Sequence, residues 1–284
     1  MLKQRVITAL VLLAILLPAL FYPAPEPFCA LVLLLIAAGA WEWGRLNGTG
    51  PVVAWGLGGL CVVLCAGAWA LGWPYAATPM LWLVSGAAWV LGGAWLLARG
   101  VPGWPKVPRP VRLVGGLAAL WLAWLAVAQA RVAGINFLLS VLLLVWVADI
   151  FAYFAGRAFG LRFTRNKLAP SISPGKSWEG VWGGMAGVLV LAVAWVAADV
   201  ALGAAVPSFY TRIASHGTWL LLPVALFMAA MSVVGDLVES LIKRSVGAKD
   251  SSGLLPGHGG VLDRVDALLP TLPLAMMLAS FQYP

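Results

Sequence analysis

The chain has 284 residues, of which 62% are hydrophobic and only 10% are charged, whereas a soluble domain carries roughly 25% charged residues. This composition excludes an ordinary soluble domain and predicts an integral membrane protein. The formal net charge of +8 fits basic loops beside membrane helices. It also favours anionic lipid headgroups or a nucleotide as partners, and we expect no nucleic acid partner.

Nine apolar runs are each long enough to cross a bilayer, because a hydrocarbon core of about 30 Å requires about 20 apolar helical residues. The runs are continuous rather than alternating, which favours helices over the strands of a barrel. Pro- and Gly-rich segments such as 22–27 and 99–110 separate them. We therefore predict an all-α, polytopic integral membrane protein with about nine transmembrane helices. They lie at about 4–22, 27–43, 52–72, 78–98, 112–130, 134–155, 179–203, 217–240 and 261–281.

The basic residues predict the orientation of these helices, because short cytoplasmic loops carry an excess of Lys and Arg. With the N-terminus inside, all 18 Lys and Arg residues except Arg131 and Arg212 fall on the cytoplasmic side. We therefore expect the N-terminus in the cytoplasm, the C-terminus outside, and a multi-pass protein of the bacterial cytoplasmic (inner) membrane.

The acidic residues predict a division of the chain. Apart from Glu26, Glu42 and Asp199, all of them lie in two polar stretches, 147–180 and 235–266, at the predicted cytoplasmic ends of the last four helices. We therefore expect residues 1–111 to form a transmembrane scaffold and residues 112–284 to form a catalytic region whose active site faces the cytoplasm.

The first polar stretch places a carboxylate within a predicted span. Asp149, Tyr153 and Arg157 are spaced i, i+4, i+8 and would share one helix face. A carboxylate near mid-membrane costs roughly 2.5–3.5 kcal/mol, so it usually has a partner or a function. Asp149 is therefore either a site residue or the partner of a cation on another helix that fixes packing.

The segment SPGKS (173–177) resembles part of a P-loop, but that motif requires a glycine where Pro170 stands. We reject a P-loop. Ser177 as an N-cap would leave the backbone N–H groups of the next helix facing the cytoplasm, where Lys176 and Ser173 could help to bind a phosphate. The alternative is an ordinary capped helix start, with Glu179 in its first turn.

The second polar stretch, 235–266, contains two acidic helix ends and a loop. Asp236, Glu239, Ser240 and Lys243 form a single stripe at the end of the eighth predicted helix, and Asp263 and Asp266 face one way at the start of the ninth. The glycines of the loop, Gly257, Gly259 and Gly260, permit a close approach of the backbone to a ligand. The alternative is a charged, solvated loop.

Carboxylates on facing helix ends, without cysteine and with a single local histidine, favour a hard cation such as Mg²⁺. Mg²⁺ generally accompanies phosphates, and the basic residues of this stretch would neutralise a polyphosphate during phosphoryl transfer. Those residues are Lys243, Arg244, Lys249 and Arg264. His258 alone does not predict a zinc site, and we interpret it as a phosphate donor or a structural hydrogen-bonding group.

The segment SLIKRSVGAKDSSGLLPGHGGVLDRVD (240–266) resembles the signature of the phosphatidate cytidylyltransferases, or CDP-diacylglycerol synthases. The matching elements are Ser240, Lys243–Arg244, Lys249–Asp250, Pro256 to Gly260, Asp263–Arg264 and Asp266. The segments AYFAGRAFG (152–160) and SPGKSWEG (173–180) are also similar to shared stretches of this family. The resemblance covers the C-terminal half of the chain.

The resemblance implies a Mg²⁺-dependent reaction of CTP with phosphatidate that gives CDP-diacylglycerol and pyrophosphate. It implies that Asp236 and Asp263 hold the metal ions, with a monovalent cation such as K⁺ beside Mg²⁺. The expected catalytic residues are Lys243, Arg244, Lys249, Asp250, His258, Arg264 and Asp266. The expected substrate-binding residues are Asp149, Tyr153, Ser173, Lys176, Ser177, Glu179, Ser240, Gly257, Gly259 and Gly260. The oligomeric state, including a homodimer, and the acyl-chain preference stay open.

Two other functions share some of these features. Intramembrane acids and cytoplasmic cations also mark the paths of anion transporters, but the polar groups here gather at one predicted face of the membrane. A CDP-alcohol phosphotransferase also uses aspartate-bound metal, but its run of spaced acids is absent from the sequence.

Overall fold

The computed structural model describes residues 2–280 and the side chains of residues 4–280. The side chain of Lys3, which entered the orientation argument, and the predicted outside C-terminus lie outside these described residues. Eleven α-helices follow one another along the chain: α1 (Leu2–Phe21), α2 (Glu26–Leu46), α3 (Pro51–Ala70), α4 (Pro79–Arg99), α5 (Arg109–Ala133), α6 (Ile135–Phe159), α7 (Trp178–Leu202), α8 (Phe209–Ala214), α9 (Leu221–Ser245), α10 (Leu262–Val265) and α11 (Leu268–Ser280). Short 3-10 turns lie at Trp73–Tyr75, Val101–Lys106 and Thr218–Leu220.

The prediction of an all-α polytopic membrane protein is confirmed. Within the described residues, 8 helices are long and apolar enough to cross a membrane. These are α1 to α7 and α9, the last of which is preceded by the turn at Thr218–Leu220.

The ninth predicted run differs from a single spanning helix. It contains the four-residue α10 and then α11, which has 13 described residues and is therefore about 20 Å long. The helix is interrupted because Pro270 has no N–H to donate to the carbonyl group of Asp266, and the Asp266 side chain instead accepts the N–H of Ala267 at 2.8 Å.

Helix α11 lies inside the bundle. It packs against α4, α5 and α9, and Leu272, Leu274 and Ala275 on it are buried. The described part of the ninth predicted run is therefore packed among the other helices, and it ends at Ser280.

Helices α6 and α7 pack backbone to backbone along a row of small residues. Gly180, Gly183, Gly184 and Gly187 of α7 face α6, where a Cβ added to Gly184 would lie 2.8 Å from the carbonyl oxygen of Ala148. Such repeats of small residues let membrane helices approach closely. The close approach places the start of α7 beside the end of α6, and α7 also packs against α9.

We expect Gly184→Ala to destabilise the bundle, because the added methyl group would push α7 away from α6. Overpacking of this kind costs about 1–3 kcal/mol, which would appear as a lower melting temperature of the protein in detergent. Gly56→Ala in α3 is the matched control, since a Cβ there would meet no heavy atom of the described residues within 4 Å. Equal melting temperatures for the two variants would contradict this packing account.

Candidate active site

A cavity of about 520 Å³ lies between α6, α7 and α9. Its polar lining comes from both stretches that the sequence singled out: Asp149, Tyr153, Arg157, Lys176, Ser177 and Asp236. The structure therefore brings together predicted substrate-binding residues and one of the two predicted metal ligands at one end of the bundle.

Asp236 is the point at which the two polar stretches meet. Its Oδ2 forms an ion pair with the ammonium group of Lys176, and its Oδ1 accepts a hydrogen bond from the hydroxyl group of Ser240 at 3.2 Å. Ser177 is the N-cap of α7, since its Oγ accepts the N–H of Gly180 at 3.2 Å. The start of α7 therefore borders the cavity beside a lysine.

Residues 246–261 connect α9 to α10 and are called the signature loop below. Asp263 is held by a lysine and by the backbone of this loop. The Lys243 ammonium group forms ion pairs with both Glu239 and Asp263. Asp263 Oδ2 also accepts the N–H groups of Ser251 at 2.8 Å and Gly260 at 2.7 Å. Burial of Asp263 opposes its ionisation, but Lys243 and these N–H groups outweigh burial and lower its pKa below the ordinary value. Asp263 is therefore a carboxylate at neutral pH.

Asp266 lies near two further carboxylates. Burial raises the pKa of Asp266 to about 7, and the negative charges of Asp236 and Asp149 contribute to the rise. A cluster of mutually repelling carboxylates attracts a cation, and oxygen ligands suit Mg²⁺. Among residues 2–280, no group of three His, Cys, Asp or Glu side chains is arranged to hold a metal ion. A Mg²⁺ ion bound here would have to take its remaining ligands from substrate phosphates and water.

Glu42 on α2 organises the signature loop, and the sequence did not predict this role. Its side chain is fully buried and accepts the N–H groups of Val261 at 2.9 Å and Leu262 at 2.8 Å. It also accepts the hydroxyl groups of Ser251 at 3.1 Å and of Ser252. These contacts join a helix of the N-terminal segment to the loop that carries Asp263. The available signal was an acidic residue within an apolar run, which in membrane proteins indicates a function by default.

The loop glycines are required by close contacts and by backbone conformation. Gly257 and Gly259 have φ angles of +78° and +84°, which side chains rarely adopt. A Cβ on Gly260 would lie 2.0 Å from Ser251 Oγ. The N-terminal end of α1 also contacts this loop, because the Arg5 guanidinium donates to the carbonyl group of Gly257 at 2.8 Å.

Arg244 and Glu179 were predicted as site residues, but their side chains contact loops and do not line the cavity. The Arg244 side chain donates to the carbonyl groups of Ile172 at 3.4 Å and Ala248 at 3.2 Å. The Glu179 carboxylate accepts the N–H groups of Phe163 at 3.1 Å and Thr164 at 2.7 Å. Both side chains therefore fix the loops that surround the cavity.

The remaining predicted residues lie around the signature loop or in the turn that precedes α7. Arg264 donates to the carbonyl group of His258 at 3.1 Å, and His258 Nδ1 is buried without a hydrogen-bond partner among the described residues. Lys249 and Asp250 are exposed. The backbone N–H of Ser173 donates to the carbonyl group of Ala169 at 2.9 Å, within the turn that precedes Lys176.

Comparison with known proteins gives a consistent result over nearly the whole chain. The model of the cytidylyltransferase family matches residues 3–282. The phosphatidate cytidylyltransferase of Pseudomonas aeruginosa is 40% identical over 288 residues, covering 96% of this chain and 95% of the relative. The phosphatidate cytidylyltransferase of Haemophilus influenzae is 36% identical over 300 residues, covering 96% of each. The chain therefore belongs to the cytidylyltransferase family.

Proposed function

We propose that the chain is a phosphatidate cytidylyltransferase, which transfers the cytidylyl group of CTP to phosphatidate and produces CDP-diacylglycerol and pyrophosphate. The observation that carries this proposal is the cavity in which Asp149, Lys176 and Asp236 meet. The full-length relatives named above carry the same activity in their names. A cavity with both carboxylates and cations suits the transfer of a phosphoryl-type group.

The lipid phosphate is the nucleophile. A phosphate monoester has a second pKa of about 6, so phosphatidate is mostly a dianion at neutral pH. One of its oxygens forms a bond to the α-phosphorus of CTP, while the bond from the α-phosphorus to the bridging oxygen breaks and pyrophosphate leaves with that electron pair. This step needs no proton acceptor, so the acidic residues act as ligands of cations and not as bases.

The basic side chains would bind the phosphate groups of the two substrates. Lys176 and the N–H groups at the start of α7 border the cavity and would bind one phosphate group. Lys243, Lys249 and Arg264 would compensate the charge of the triphosphate and of the departing pyrophosphate. The contacts of Arg244 and Glu179 with neighbouring loops support a role for these two residues in positioning the loops.

We propose Asp236 and Asp263 as the ligands of Mg²⁺, with a monovalent cation such as K⁺ nearby. A bound Mg²⁺ ion would stabilise negative charge on the triphosphate. Until substrate enters, Lys176 and Lys243 hold the two carboxylates in place.

The location of the cavity supports a cytoplasmic orientation in the bacterial inner membrane. The cavity lies along the C-terminal half of α6, the middle of α9 and the N-terminal end of α7, beside the basic segment 157–176. Positively charged segments of this kind stay in the cytoplasm. CTP would enter from water, whereas the acyl chains of phosphatidate would remain in the bilayer. Residues 1–111 would then act as a scaffold that also supplies Glu42 to the loop of the catalytic region, residues 112–284.

Release of pyrophosphate from CTP by the purified protein in detergent with Mg²⁺ tests the proposed function. We expect release only when phosphatidate is present, together with the formation of CDP-diacylglycerol. A folded preparation that binds CTP but releases no pyrophosphate would contradict the proposal. Substrate counterflow in sealed vesicles would then show whether the chain is a transporter.

We expect Asp236→Asn and Asp263→Asn each to reduce turnover by roughly a hundredfold or more. Each substitution removes a negative charge that would hold Mg²⁺ beside the phosphates in the transition state. The rate of pyrophosphate release should be measured across a Mg²⁺ titration. An unchanged melting temperature would show that the membrane bundle is intact. Near-normal rates at any Mg²⁺ concentration would mean that these residues are not the metal ligands.

We expect Glu42→Gln to lower kcat by about 10- to 100-fold, the range seen when groups that orient metal ligands are changed. The amide nitrogen of glutamine cannot accept a hydrogen bond, so the N–H group of either Val261 or Leu262 would lose its acceptor and the loop that carries Asp263 would loosen. Faster proteolysis between residues 249 and 260 should accompany the loss. Glu26→Gln, at the other end of α2, is the matched control and should change neither property. A Glu42→Gln enzyme with normal kcat and normal protease resistance would contradict this role.

A further inference from the structure

A second cavity, of about 460 Å³, lies on a different face of α9 from Asp236. Gly235, Val238 and Ile242 line this second cavity, whereas Val233 and Asp236 line the first. Helices α4 and α5 form its other walls and both pack against α11. Gly115 of α5 and Trp95 of α4, which line it, are exposed, so the cavity opens towards the bilayer.

The lining of this second cavity is mainly apolar, but it contains hydrogen-bond donors without partners. Trp104 is 5% exposed, and its Nε1 has no hydrogen-bond partner among the described residues. The same holds within residues 4–280 for Arg112 Nε and Ser85 Oγ, which also line the cavity. Buried polar groups are normally paired, so three unpaired donors in one cavity indicate a ligand that carries acceptors.

The positions of these donors indicate the charge of the ligand. The Arg112 guanidinium lies 5.7 Å from the centre of the Trp104 ring, so a cation and an indole N–H occupy the same part of the cavity. The Glu239 carboxylate also lines the cavity, and its oxygens accept no hydrogen bond among the described residues, but its charge is compensated by the ion pair with Lys243. Arg112 is therefore left to bind an anion, and the apolar remainder of the cavity suits a hydrocarbon chain.

We propose that this cavity binds one anionic phosphodiester phospholipid of the surrounding membrane. Its phosphate would accept hydrogen bonds from Arg112 and Trp104, an ester carbonyl group would accept one from Ser85, and one acyl chain would lie between α4 and α5. The site differs from the proposed substrate site, because a phosphodiester has no free phosphate monoester and does not attack CTP. Its ligand is a lipid that is bound and not consumed.

Native mass spectrometry of the full chain in a neutral detergent tests this proposal. The probes are phosphatidylglycerol, phosphatidylcholine and phosphatidate with identical acyl chains, added without CTP. We expect the wild type to retain phosphatidylglycerol in preference to phosphatidylcholine. Arg112→Gln should weaken retention of phosphatidylglycerol about tenfold through the loss of a charge-assisted hydrogen bond. Arg109→Gln is the matched control, since Arg109 lies outside the cavity lining, and it should have no effect.

Two variants that fill the cavity separate binding in the cavity from binding on the surface. Gly115→Leu and Gly92→Leu add bulk from opposite walls, and a Cβ at either position would meet no heavy atom of the described residues within 4 Å. Both should abolish retention of phosphatidylglycerol, whereas Gly59→Leu on α3, which also has open space around its Cβ, should not. Asp236→Asn should leave retention unchanged, because Asp236 lines the other cavity.

Three results would overturn the proposal. Equal retention of phosphatidylcholine would show that Arg112 does not select an anion. Retention of phosphatidate but not phosphatidylglycerol would assign the cavity to substrate. Unchanged retention in both filled variants would place the lipid elsewhere on the protein. Each result is independent of whether the protein releases pyrophosphate from CTP, so this site and the proposed function can fail separately.

Discussion

The Lys243 ammonium group holds the carboxylates of Glu239 and Asp263 together near the end of α9, and the signature loop is built around this buried contact. Removing such charges from water costs several kcal/mol per ion, a cost that only good pairing and further hydrogen bonds can offset. The N–H groups of Ser251 and Gly260 supply those bonds to Asp263. The Lys176–Asp236 ion pair is more exposed to solvent, with side chains 26% and 28% exposed. A ligand that enters the cavity can therefore replace one member of this pair at a lower desolvation cost.

The sequence predicted the fold class and most of the helices because a bilayer imposes a simple length rule on apolar runs. It could not distinguish a helix that faces lipid from one that is buried among other helices, since both are apolar. Helix α11 is the example: its run was predicted as a ninth span, and its 13 described residues lie among α4, α5 and α9. The break before it depends on Pro270 and on the side chain of Asp266, which a hydropathy window does not register. The proposed division at residue 112 stays a prediction.

For the candidate site, spacing predicted which residues share a helix face, and Asp149, Tyr153 and Arg157 of α6 do line one cavity. The predicted stripe on α9 is divided, because Asp236 lines this cavity and Glu239 lines the second one. Spacing could not predict contacts between distant segments. Glu42 receives hydrogen bonds from residues more than 200 positions away. Two of its partners are backbone N–H groups, which any residue type supplies and which a sequence motif therefore does not reveal. Nor could spacing show which basic residues contact loops, as Arg244 does.

The central claim is that phosphatidate attacks CTP in a single in-line displacement, with the charged residues positioning substrates and forming no covalent intermediate. The most direct test is the stereochemical course of the reaction with CTP that carries sulfur at one defined position on its α-phosphorus. Attack opposite the leaving pyrophosphate predicts inversion of configuration at that phosphorus in the CDP-diacylglycerol product. Retention of configuration would contradict the account, because it requires a second displacement through a cytidylylated residue of the protein.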